Sequence, residues 1–200
     1  MPMLREWAIN RDLHVKYIGT LGLPPLLIHE GTETFLAPNQ IGQLETAKNY
    51  VTSTTSAKTI FLSAYHSFYL SNPEYEQALS KTVSFLIDQQ KDVCIFAQTP
   101  PLEPLLRRHL ESTHLIKSIF PRHLKYSELF TFNQQYVEKK IAPMRAILHR
   151  LKARYPQIHI WHPEKYIKSS IYEGVPCYRD DNHLNLHGSL YFLPYFDYPF

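Results

Sequence analysis

No stretch of about 18 consecutive apolar residues occurs in this 200-residue chain, so these residues contain no sequence able to span a membrane as a helix. The N-terminus, Met1-Pro2-Met3-Leu4-Arg5-Glu6-Trp7, lacks a charged region followed by an apolar one and does not read as a secretory signal. Only two cysteines are present, Cys94 and Cys177. Two thiols define no disulfide framework, and Cys94 lies in an apolar run, as a buried small hydrophobe would. Charge of one sign is also scarce. The formal net charge is +3 and basic residues never form a dense run, which excludes nucleic acid as the expected partner. The richest basic stretch, Lys139 to Arg154, reads as the solvated face of a helix. A Gly-Asp-Ser sequence and a His-Glu-x-x-His sequence are both absent.

What is present is ordinary globular material. The chain is 44% apolar and 20% charged, long enough for one domain with a real core, and residues 1–200 are expected to form a single domain. Fourteen Tyr and eleven Phe suit a well-packed interior, with stacking on a sugar as the alternative use.

Periodicity gives the order of elements. Leu4 to Arg11 patterns as a helix, and His14 to Ile18 alternates as a strand. Gly19 to Pro25 breaks regularity, residues 26–40 read as loop, and Gln43 to Ser56 as a helix. Thr59 to Ala64 is a continuous apolar run of the kind found in a strand buried on both faces. Asn72 caps and Pro73 opens a helix to about Gln90, followed by a buried-type strand from Asp92 to Ala97 that Thr99-Pro100-Pro101 ends. Leu102 to Leu110 patterns as a short helix, Gln134 to Arg154 as a long one with a bend at Pro143, Ile158 to Trp161 as a strand, and Leu184 to Phe192 as the last helix. Alternating strands and helices predict an α/β fold with a parallel sheet covered on both faces.

Near the C-terminus, Tyr178-Arg179-Asp180-Asp181-Asn182-His183-Leu184 places an aspartate three residues before a histidine, between an extended segment and a helix. Such a pair can make a serine or water nucleophilic: the imidazole takes the proton, and the carboxylate fixes its tautomer and stabilises the imidazolium. Asp180 is the better placed of the two adjacent aspartates. Asp and Asn at a helix start are also ordinary caps, and the spacing alone is common.

Several stretches together resemble the SGNH hydrolase domain fused to the C-terminus of bacterial family-three membrane acyltransferases, proteins that O-acetylate surface polysaccharides. Leu21-Gly22-Leu23-Pro24-Pro25-Leu26 is similar to a Cys-Pro-Pro-Leu segment of that family, with Leu23 in place of the cysteine. Thr59 to His66 resembles its third-block strand, and Asp92 to Pro100 its next strand and Pro-ended turn. Tyr178 to Asn185 with Gly188-Ser189 resembles its final block. The resemblance implies a three-layer, flavodoxin-like SGNH-hydrolase fold of strand order 2-1-3-4-5. It also implies Asp180 and His183 as the acidic and basic members of a Ser-His-Asp triad, with no cofactor and no metal. The implied partners are a carbohydrate acceptor, an acyl donor and a membrane acyltransferase domain, and the implied location is the periplasm or cell exterior, tethered to the inner membrane.

Two departures go with it. The family's nucleophile turn, Gly-Asp-Ser-His-like, precedes a Pro-x-Leu helix, and Pro2-Met3-Leu4 matches the start of that helix. The expectation is therefore a fragment whose first strand and nucleophile loop are missing, inactive by itself for want of the serine. Such a loss removes the shared neighbour of the strands at 14–18 and 59–64, each buried unpaired backbone group costing about 1–3 kcal/mol. Tyr65 and His66 also stand where Arg and Trp are usual, which alters the expected oxyanion and substrate contacts. Two alternatives remain: a non-catalytic, carbohydrate-binding relative using the aromatic tail Tyr191 to Phe200, and a metal-dependent hydrolase using Asp180, His183 and His187, or His159 and His162.

Overall fold

The computed structural model describes residues 2–18, 23–28, 36–103, 132–196 and 198. Five helices and five strands are defined among them: α1 (Pro2–Ile9), α2 (Pro38–Ser53), β1 (Thr59–Ser63), α3 (Glu74–Asp88), β2 (Asp92–Phe96), α4 (Gln134–Arg154), β3 (His159–Trp161), β4 (Ile171–Tyr172), β5 (Val175–Pro176) and α5 (Leu186–Tyr191). The chain divides into two compact units, one of residues 1–15, 99–141 and 163–200, the other of 16–98 and 142–162. The boundary falls inside α4, next to Pro143, through which the helix continues.

The unit of residues 16–98 and 142–162 holds the α/β arrangement. Its three strands form a parallel sheet in the order β1-β2-β3, Thr59 facing Asp92 and Cys94 facing His159. β2 is the middle strand, with Val93, Cys94, Ile95 and Phe96 all buried, as the continuous apolar run requires. α3 connects β1 to β2. Glu74 and Glu76 in its first turn complement the helix dipole. Tyr75, Leu79, Val83 and Leu86, spaced three or four apart, put one face into the core. The helix stops in a Schellman turn: Lys91 N–H donates to Leu86 O at 3.0 Å and Gln90 N–H to Ile87 O at 2.8 Å. Gln90 occupies the left-handed position, φ 56°, that glycine ordinarily fills. Met144 and Leu148 of α4 complete this core with Leu44 of α2.

The unit of residues 1–15, 99–141 and 163–200 is built around a second apolar cluster that includes Leu102, Val137, Ile141, Ile167, Cys177 and Phe192. β4 and β5 form an antiparallel hairpin whose two turn residues, Glu173 (φ 52°) and Gly174 (φ 74°), are both left-handed. That is the backbone twist a two-residue hairpin prefers. Asn133 starts α4 here, its Oδ1 accepting from Gln135 N–H at 3.0 Å and Tyr136 N–H at 3.2 Å.

The structure departs from the sequence expectations at several elements. The segment His14 to Ile18 is not a strand, and Val15 and Tyr17 are exposed at 44% and 65%. Alternation specifies a strand only where a ladder partner and a buried face exist, and this segment has neither among the described residues. α2 begins at Pro38 rather than Gln43, since Pro is well tolerated in a first helical turn. Pro73, not Asn72, occupies the position before α3. The stretch between β3 and Cys177, in which periodicity marks no element, contains the β4–β5 hairpin. Leu21 and Gly22, most of the helix expected over Leu102 to Leu110, and the segment from there to Phe130 lie outside the described residues.

Candidate active site

A short loop closes on itself before α5. Tyr178 and Leu184 form an antiparallel bridge, and Arg179 N–H donates to His183 O at 2.8 Å. Within the loop, Asp180 and His183 come together as their spacing suggests. His183 Nδ1 lies 2.9 Å from both carboxylate oxygens of Asp180. Asp180 Oδ1 also accepts the backbone N–H of Asn182 at 3.1 Å and of His183 at 2.8 Å, and the Arg179 guanidinium lies 3.3 Å from Oδ2.

The electrostatics follow from these contacts. Partial burial pushes the Asp180 carboxyl up, but the two backbone N–H groups and the His183 ring outweigh it and hold the group below the usual carboxylate range. An ionised carboxylate only accepts, so the Nδ1 proton is the one shared with Asp180. In the neutral ring that leaves Nε2 as the proton acceptor, on a side chain 48% exposed. Asp181 takes another role: its backbone carbonyl accepts Leu102 N–H at 2.8 Å.

The elements after the loop explain its shape. Asn185 caps α5, its Oδ1 accepting Gly188 N–H at 2.8 Å, while its Nδ2 donates to Pro176 O at 2.7 Å. Gly188 lies so close to Cys177 that an added Cβ would sit 2.8 Å from the Cys177 Cβ and closer still to its carbonyl oxygen. The glycine of the Gly-Ser that follows the motif is therefore a packing requirement. Cys177 is fully buried, and burial pushes its thiol up to about 11, which leaves it unreactive.

A part of this assembly that the sequence did not announce is the strap Thr99-Pro100-Pro101-Leu102. Thr99 Oγ1 donates to Asn182 O at 2.6 Å, and the buried Tyr178 hydroxyl donates to Pro100 O at 2.8 Å. A polar residue beside a Pro-Pro pair was visible, but its partner lies 83 residues away.

Other candidate residues sort differently. His66 is fully buried in the other unit. Its Nε2 lies 2.9 Å from Phe96 O and its Nδ1 2.7 Å from the Tyr75 hydroxyl. A carbonyl only accepts, so Nε2 carries the proton and Nδ1 accepts from Tyr75. Burial pushes His66 down to about 4, a neutral, structural imidazole. Neither Asp180, His183 and His187 nor His159 and His162 belong to a group of three or more ligating side chains suited to a metal among the described residues. Among the described residues of the aromatic tail, Phe196 and Tyr198 meet the Trp7 ring edge-on at 5.3 and 6.3 Å and Phe192 is fully buried, while Tyr195 is exposed. Among the described residues no helix is long and apolar enough to cross a membrane.

No curated protein and no solved structure matches the chain. A family model, described as the SGNH domain fused to AT3 domains, matches residues 1–197 and so spans both units. With a parallel three-stranded sheet and nearly its whole length covered by that model, the chain belongs to the family of SGNH domains fused to AT3 acyltransferase domains.

Proposed function

We propose that this domain serves the transfer of acetyl groups to hydroxyls of cell-surface polysaccharide, lipopolysaccharide included, with His183 as the base and Asp180 as its acidic partner. One observation carries the assignment: the Asp180 carboxylate at 2.9 Å from Nδ1 of an exposed imidazole whose Nε2 is left to accept a proton. The hydroxyl gives its proton to Nε2 as its oxygen attacks the acyl carbonyl, and Asp180 steadies the imidazolium formed. Collapse of the tetrahedral species breaks the bond from the acyl carbon to the ester oxygen of the acyl donor, and that oxygen leaves with the proton returned from His183. No Gly-Asp-Ser turn occurs in this sequence, so no nucleophile is assigned within it. The reaction needs an acyl donor, a carbohydrate acceptor and a membrane AT3 domain that delivers the acyl group, and it takes place in the periplasm or at the cell exterior. The family's fusion to AT3 domains supports that pairing.

The test is a chromosomal His183→Ala replacement in the native host. Acetyl esters on purified surface polysaccharide, measured by proton NMR, are expected to fall at least tenfold, general-base loss alone being worth about 10²–10⁴ in rate. Unchanged acetylation would reject the proposal.

A further inference from the structure

We infer that Thr99 is a positioning residue for Asp180 and His183, acting through the backbone of the loop that carries them. This deepens the proposed function and rests on it.

The geometry is a matter of peptide planes. A trans peptide points its C=O and its N–H in opposite directions, so a bond to one aims the other. The peptide joining Asn182 to His183 receives the Thr99 hydroxyl on its carbonyl at 2.6 Å and sends its N–H to Asp180 Oδ1 at 2.8 Å. The preceding peptide repeats the pattern. Its carbonyl, that of Asp181, receives Leu102 N–H at 2.8 Å, and its N–H, that of Asn182, reaches the same Asp180 oxygen at 3.1 Å. Two consecutive peptides are thus held from behind by the strap and aimed forward at one carboxylate oxygen. Hydrogen bonds in such chains polarise and strengthen one another.

The strap suits this task. Pro100 and Pro101 are buried, have no N–H and have fixed φ, which narrows the range of spacings between the Thr99 hydroxyl and the Leu102 N–H. Between those donors, Pro100 O is held by the Tyr178 hydroxyl at the base of the loop. Thr99 supplies the only side-chain donor the strap makes to the loop among the described residues. Without it the Asn182–His183 peptide can rotate, and Asp180 loses an N–H and its hold on the ring.

The test reads the tautomer of His183 and needs no turnover. Imidazole ¹⁵N shifts in protein labelled with ¹⁵N-histidine separate the Nδ1–H from the Nε2–H form at a pH where the ring is neutral. The unaltered protein is expected to show His183 as Nδ1–H. Thr99→Val is expected to move it to a mixture of both forms with the circular dichroism spectrum unchanged, and Thr99→Ser, which keeps the hydroxyl, to restore Nδ1–H. A Thr99→Val protein that unfolds more easily but keeps the tautomer overturns the positioning role, as does a Thr99→Ser protein that behaves like Thr99→Val. Should Thr99→Val not fold, Tyr178→Phe removes the neighbouring bond to Pro100 O. It is expected to shift the tautomer in the same direction, and an unshifted tautomer overturns the inference. An Nε2–H tautomer in the unaltered protein would instead remove the Asp180–His183 pairing itself, and the proposed function with it.

Discussion

His66 and His183 sit in the two units of the chain, and their surroundings are opposites. His66 is fully buried just after β1, with a carbonyl on one nitrogen and a phenol on the other, so both nitrogens are satisfied and burial keeps the ring neutral. His183 is half exposed on a loop, with a carboxylate on one nitrogen and the other left to accept a proton. The same side chain serves packing in one unit and, in the proposed reaction, takes up a proton in the other. The difference lies in which partners fill its two nitrogens.

Substitution of the two residues separates these roles most strongly. His66→Ala is expected to destabilise the protein by about 3–5 kcal/mol, since it leaves a cavity and strips the Tyr75 hydroxyl and Phe96 carbonyl of their partner. Urea denaturation measures this. His183→Ala should change stability by less than about 1 kcal/mol, as an exposed substitution does, while removing the acetylation described above. Equal destabilisation by both would erase the contrast.

Acidification tests it without mutation. His66 has a folded value of about 4 against an ordinary 6.5, so the unfolded chain binds the extra proton first as pH falls. Its contribution is fully present above pH 6.5 and is lost as pH falls toward 4, a decline of about 3 kcal/mol if no other group titrates there. Asp180 behaves differently. Its folded value is lowered, so its contribution persists above the ordinary carboxylate value of 3.8 and fades only as pH falls below it. Thermal melts from pH 7 to 4 should fall in the parent and stay flatter in a folded His66 variant such as His66→Gln.

Two smaller changes probe one unit each. Gly188→Ala forces a Cβ onto the Cys177 backbone and is expected to cost about 1–3 kcal/mol in thermal unfolding, with the loop disturbed through the Asn185 cap. Gln90→Gly relieves a left-handed residue in the Schellman turn that precedes β2. It should stabilise by roughly 0.5–1 kcal/mol and leave the His183 tautomer untouched. A stabilised protein with an altered tautomer would show that the two histidine environments are not independent.

Much of the sheet-bearing unit was legible beforehand. β1, β2 and α3 follow from two apolar runs and a helical stripe, because burial on both faces of a strand leaves a local signature. The segment at His14 to Ile18 shows the limit: its alternation is strand-like, yet strand formation depends on a partner outside the segment. The β4–β5 hairpin was missed because its strands are two residues each, too short for any period to register, and only Glu173-Gly174 marks it. The Asp180–His183 pairing is local, three residues apart, and so could be read directly.

The sequence by itself determined the α/β order, the resemblance to an SGNH domain and the pair Asp180 and His183, since each resides in short-range pattern or in residue identity. The tertiary structure alone decided that His66 is structural, that Gly188 is required by Cys177, and that Thr99 reaches Asn182. These depend on contacts between residues 30, 11 and 83 positions apart, and neither a hydrogen bond nor a close packing contact across such distances leaves a periodic trace in the chain that forms it.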